Sequence, residues 1–183
     1  MEDHDVTRRS GLPDALRVLV TEMPRDEWEA HPAFRGLAEF WLDRHMMFRK
    51  LAALLRAEAE ARLDGRLDPA THAARVSRFG GLYLGELQGH HNVEDAHYFP
   101  VMAGLDARVA RGFDLLDADH HALDALLGEF AERANAVIRG GGTDRDAAGS
   151  LLDGVTRMER VIDRHLIDEE EIVVPLILQH RLT

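Results

Sequence analysis

The sequence predicts an all-α fold, an up-down antiparallel four-helix bundle. It reads as two duplicated helical hairpins with a short N-terminal helical extension. Three observations predict this. Ala, Leu, Arg and Glu dominate the 183 residues and β-branched runs are scarce, which favours helix. No stretch sustains the period-two alternation of a half-buried strand. Four long segments carry apolar stripes at spacings of four and three, separated by short breaks, the pattern of antiparallel helices sharing one core.

The elements follow in order. Residues 1–11 read as a loose polar tail. Leu12 to Met23 reads as a short helix, with Pro13 in its first turn and Pro24 at its end, because proline is tolerated only where its missing N–H is not needed. His31-Pro32 marks the next boundary. The first long helix is expected from Ala33 to Arg62, with Asp64-Gly65 and Asp68-Pro69 as the following breaks. The second runs from Thr71 to Phe99, the third from Ala107 to Arg139, and Gly140-Gly141-Gly142 interrupts the chain before a fourth from Asp144 to Gln179. The expected organisation is an N-terminal tail and short helix over 1–32 and a single bundle domain over 33–183.

Composition narrows the function. The net charge is -11, with 33 acidic against 22 basic residues; nucleic-acid binding rests on phosphate neutralisation by cationic side chains, so no nucleic-acid partner is expected. There is no cysteine, which excludes disulfide frameworks, thiolate zinc sites, iron–sulfur clusters and thiol nucleophiles. Any metal site must therefore use His and carboxylate. The longest apolar run, Ile172 to Leu178, has seven residues, against the roughly 20 a membrane span needs. The N-terminal residues do not resemble a signal peptide. The expectation is a soluble cytoplasmic protein without a membrane partner.

The stripes carry the chemistry. The first long helix gives Trp41, His45, Phe48, Ala52 and Leu55; the third gives Leu116, His120, Leu123, Leu127 and Phe130. The second gives Leu87, His90, Glu94, His97 and Val101, and the fourth Ile162, His165, Glu169, Ile172 and Leu176. Each stripe holds a His, and two add a Glu one turn later on the same face. The halves repeat at one offset: His45 and His120, His90 and His165, Glu94 and Glu169, and Pro100 and Pro175 are each 75 residues apart. Two packed hairpins would converge four imidazoles and two carboxylates in one layer. Unpaired carboxylates in an apolar interior cost several kcal/mol. A pair of divalent cations resolves that cost, with imidazole nitrogen and anionic oxygen as ligands.

These segments, "WLDRHMMFRKL" around His45, "HHNVEDAHYFP" from His90, "DADHHALDALL" around His120 and "HLIDEEEIVVP" from His165, together resemble hemerythrin-like proteins with the HHE cation-binding domain. The resemblance spans Ala33 to His180. It implies a four-helix bundle holding a non-haem di-iron centre, two iron ions with a bridging hydroxide or oxo group. It further implies that dioxygen, or a related small oxidant such as peroxide or nitric oxide, is bound, sensed or handled there. One departure stands out: oxygen-carrying hemerythrins have a His-x-x-x-His pair on the third helix, whereas Leu116 and Asp124 flank His120 here at that spacing. With four imidazoles the site would be more open to water and would autoxidise faster, which favours sensing or detoxification over storage. His97 is the candidate fifth nitrogen ligand, or a proton donor beside one iron.

The expected metal ligands are thus His45, His90, Glu94, His120, His165, Glu169 and His97. His91 and His121 read as flanking surface or edge residues. His4, His31, His72 and His180 read as solvated, and the Arg clusters near Arg8 and Arg44 as surface charge. Asp95 and Glu170 each follow a ligand Glu and read as either exposed or hydrogen-bonded to ligands. A ferritin-like site ranks lower: it needs two Glu-x-x-His motifs, and only Glu94 to His97 supplies one. Besides binding or sensing, two further functions remain open: a di-iron enzyme acting on peroxide or nitric oxide, and a bundle that a metal such as zinc merely stabilises. A sensor would need a separate signalling partner.

Overall fold

A computed structural model describes residues 4–183. The described residues are helical with no strand. A 3-10 turn at Asp14–Leu16 leads into α1 (Val18–Glu22), and a second 3-10 segment covers Arg25–Ala30. The long helices are α2 (Leu37–Leu63), α6 (Ala110–Arg139) and α7 (Arg145–His180). The second predicted helix is a composite: α3 (Pro69–Arg75), a π-helical segment at Val76–Gly80, α4 (Gly81–Val93), a second π-helical segment at Glu94–Tyr98, and α5 (Phe99–Met102). Asp68 caps α3 by accepting the Thr71 N–H at 3.0 Å, with Pro69 in the first turn.

The chain divides into two compact units. One comprises Met1–Met46, His91–Ala122 and Asp163–Thr183; the other comprises Met47–His90 and Leu123–Ile162. The first packs Leu12, Leu16, Leu19, Trp28 and Trp41 with Phe113, Leu116 and the apolar face of α7. The expectation of a loose tail is overturned for its described part: Val6 and Arg9 are buried, while Met1 to Asp3 lie outside the described residues. Arg9 also corrects the reading of the Arg8 cluster as surface charge, since only Arg8 faces solvent.

In the second unit Phe48, Leu55, Tyr83, Phe130, Leu151 and Met158 form an apolar core, with Tyr83 edge-on to both Phe48 and Phe130. The glycine run is a tight connection: Gly142 has φ +70°, and a Cβ there would lie 2.0 Å from the Pro69 carbonyl oxygen. Here Arg62 donates to the Gly142 carbonyl at 2.9 Å. His72, read as solvated, is fully buried; the Asp68 cap starts α3 early and turns this residue inward.

Three of the four predicted stripes are buried along their length. The second fails after Glu94: His97 and Val101 are exposed while Phe99 and Met102 are buried. The π-helical segment is the reason. The Phe99 N–H donates to the Glu94 carbonyl five residues back, so the turn holds one extra residue and the inward face jumps from Glu94 to Phe99. Pro100 favours this widening, since it has no N–H and its ring clashes with the carbonyl four residues earlier in a regular helix.

Candidate metal centre

Two groups of inward-facing donors emerge from this scaffold. His45, His90, Glu94 and Glu169 form one, and His91, His120 and His165 the other; within each, one donor atom per residue lies within 4.8 Å of the rest. All are buried except His90, which is half-buried. Six of the seven sequence candidates are therefore brought into the two groups. His97 is exposed and belongs to neither.

His91 is the correction. Read as a surface or edge residue, it is 2% exposed and stacks on His120 with ring centroids 4.0 Å apart. The internal repeat could not reveal it, because the residue 75 positions later is Leu166. Its spacing of three from Glu94 was the available signal, since both then share a helix face.

Each of three imidazoles is oriented by a carboxylate on its Nδ1. His45 pairs with Glu170 Oε1 at 2.9 Å, His120 with Asp95 Oδ1 at 2.8 Å, and His165 with Asp119 Oδ2 at 3.1 Å. An ionised carboxylate only accepts, so each Nδ1 carries a proton, and in the neutral imidazole the lone pair is left on an inward-facing Nε2. The Nε2 atoms of His120 and His165 then stand 3.2 Å apart. Glu169 lies between the groups, Oε1 at 3.3 Å from His45 Nε2 and Oε2 at 3.3 Å from His165 Nε2. Glu94 Oε2 is 3.6 Å from His120 Nε2. The Trp41 indole N–H donates to Glu169 Oε1 at 2.5 Å and fixes the carboxylate plane.

The titratable groups of the site are pushed in opposite directions. Burial, reinforced by the Glu169 charge, pushes Glu94 well above the usual carboxylate range. Burial also opposes ionisation of Glu169, but the His45 and His165 imidazoles outweigh it and hold that carboxyl well below the range. For His165, burial disfavours the cation, yet Asp119 and Glu169 raise its pKa to about 9. His120 is lowered by burial and by the nearby His165. The core thus distributes protons unevenly over nitrogen and oxygen atoms that converge. Nitrogen and oxygen donors at this spacing, buried and backed by carboxylates, fit divalent or trivalent first-row metals.

The described residues are helical, and their buried His and carboxylate groups are of a kind that can hold metal ions. The hemerythrin HHE cation-binding domain model matches residues 36–177. The chain belongs to the hemerythrin HHE cation-binding family. No curated protein and no solved structure matches it. No helix among the described residues is long and apolar enough to cross a membrane.

Proposed function

We propose that the protein holds a non-haem di-iron centre that binds or senses dioxygen or a related small oxidant. In this reading the four long helical runs form an up-down bundle of two duplicated hairpins over residues 33–183, with residues 1–32 as its N-terminal extension. One iron would be held by His45 and His90 and the other by His91, His120 and His165, with Glu94 and Glu169 as the carboxylate ligands. The observation that carries this is the placement of Glu169, one oxygen facing an imidazole of each group. His97 is left out of the ligand set because it is exposed.

With His91 in the place expected for His97, the donor set again has five imidazoles and two carboxylates. With two imidazoles against three, the group of His45 and His90 would leave more room for a small ligand. When bound, the metals supply redox chemistry and an open coordination position. The chain's own residues do the rest. Glu170, Asp95 and Asp119 hold the Nδ1 protons of His45, His120 and His165, Trp41 orients Glu169, and Phe99, stacked on His120 with centroids 5.5 Å apart, shields that imidazole from water.

The test is elemental analysis of anaerobically purified protein, with optical spectra before and after air. Two irons per chain and a reversible oxygen-dependent charge-transfer band are expected. Catalytic loss of peroxide or nitric oxide, abolished in Glu94→Ala, would assign the site to the enzyme reading instead. A redox-silent zinc that only raises the melting temperature would overturn both.

A further inference from the structure

The segment ahead of the matched domain reaches the centre through two arginines. Arg9 is buried, and its guanidinium forks onto Asp119: Nη1 donates to Oδ1 at 2.6 Å and Nη2 to Oδ2. Its Nε donates to Asp168 Oδ2 at 2.7 Å, and Nη1 also reaches the His4 carbonyl at 2.9 Å. Asp119 Oδ2 in turn accepts from His165. Arg25, about half-exposed and seated over the Trp28 ring at 4.6 Å, donates to Glu170 Oε2 at 2.5 Å. The other oxygen of Glu170 accepts from His45. The layout is the same twice: arginine, carboxylate, imidazole, with one imidazole in each donor group. Asp95, which backs His120, pairs with neither arginine.

We propose that residues 4–31 form a two-arginine clamp on the metal centre. Arg9 positions His165 through Asp119, and Arg25 positions His45 through Glu170. The proposal rests on the two-metal reading. Neither arginine touches a proposed ligand; each fixes the carboxylate that sets a ligand's tautomer and ring angle. A carboxylate held by a guanidinium on one side offers the imidazole a single aimed lone pair, and loss of such outer partners typically weakens metal affinity. The arm is anchored for this role. Leu12, Leu16, Leu19 and Trp28 are buried in the same unit's core, the Trp28 indole donates to the Met23 carbonyl at 2.9 Å, and Arg164 holds the Ser10 carbonyl at 2.7 Å.

The test is anaerobic Fe2+ titration of the full chain against a competing chelator, in wild type and four variants. Arg25→Gln should weaken one of the two sites about 10- to 100-fold and leave the other unchanged; Arg25→Lys should restore it, since a single contact to Glu170 suffices. Arg9→Gln should weaken the other site by a similar factor, and Arg9→Lys should not rescue it, because an ammonium cannot span both Asp119 oxygens and Asp168. Because a docked arm and a bound cation favour each other, Fe2+ should slow amide hydrogen exchange over residues 12–23 in wild type, and less so in Arg25→Gln. Arg25 is half-exposed, so its variants decide the matter even if Arg9→Gln does not fold. Variants that melt earlier yet bind both irons like wild type would overturn the clamp and leave the di-iron centre standing. A wild-type chain that binds no Fe2+ would overturn the di-iron centre and the clamp with it.

Discussion

The two compact units are built from pieces of the same long helices but filled differently. In the unit of Met47–His90 and Leu123–Ile162 the interior is apolar, and Arg62 and His72 are the buried polar side chains among the described residues. The other unit buries Arg9, His45, His91, Glu94, Asp119, His120, His165, Asp168, Glu169 and Glu170. The first gains stability from area removed from water. The second gains little from its charges as such, because desolvation offsets their attraction; it keeps them arranged for chemistry.

The largest expected effect tests the apolar side. Phe130→Ala removes a ring that is 1% exposed and edge-on to Tyr83, and should cost about 3–5 kcal/mol. Denaturant unfolding would measure it, with the metal content of the folded fraction unchanged. The opposite sign is expected on the polar side. Glu94→Leu should abolish full metal loading yet leave the metal-free fold as stable or more stable by about 1–3 kcal/mol, the penalty of burying that carboxyl. Calorimetry of the chelator-treated protein would check it, and a large loss of stability would break the contrast.

A pH series sharpens the comparison next. His165 has its pKa raised to about 9 from 6.5, so its contribution is fully present below pH 6.5 and is lost as pH rises through about 9. The melting temperature of the metal-free protein should therefore fall across that window. Asp119→Asn, which removes part of the cause, should flatten the fall. Metal binding displaces protons from these groups, so affinity should increase as pH rises. The smallest effect belongs to an exposed pair of the apolar unit, Arg157 and Glu129 at 3.2 Å. Arg157→Ala should change stability by about 0–1 kcal/mol and metal content not at all.

Much of this was legible in residue spacing, and the misses have physical causes. The stripes through His45, His120 and His165 lie on regular helix, so periodicity places them and their apolar neighbours inward. It fails at His97 because stripe counting assumes a uniform turn, and the widened turn before Pro100 is not uniform. His91 escaped because the repeat favours positions with a partner 75 residues away, and the fifth imidazole breaks that symmetry. Arg9 and Asp119 are 110 residues apart in sequence, and no local pattern links them. Asp95 and Glu170, left open between exposed and hydrogen-bonded, both sit on imidazole Nδ1 atoms.

The wide turn at Glu94–Tyr98 has a consequence for how such chains can diverge. Deleting one residue there would rewind it into ordinary helix and rotate everything beyond it by roughly 100°. Phe99 and Met102 would swing towards solvent, while His90, His91 and Glu94, on the near side, would keep their aim. Evolution can therefore re-face the exit of this helix, and whatever docks against it, without touching the donors that grip the cation.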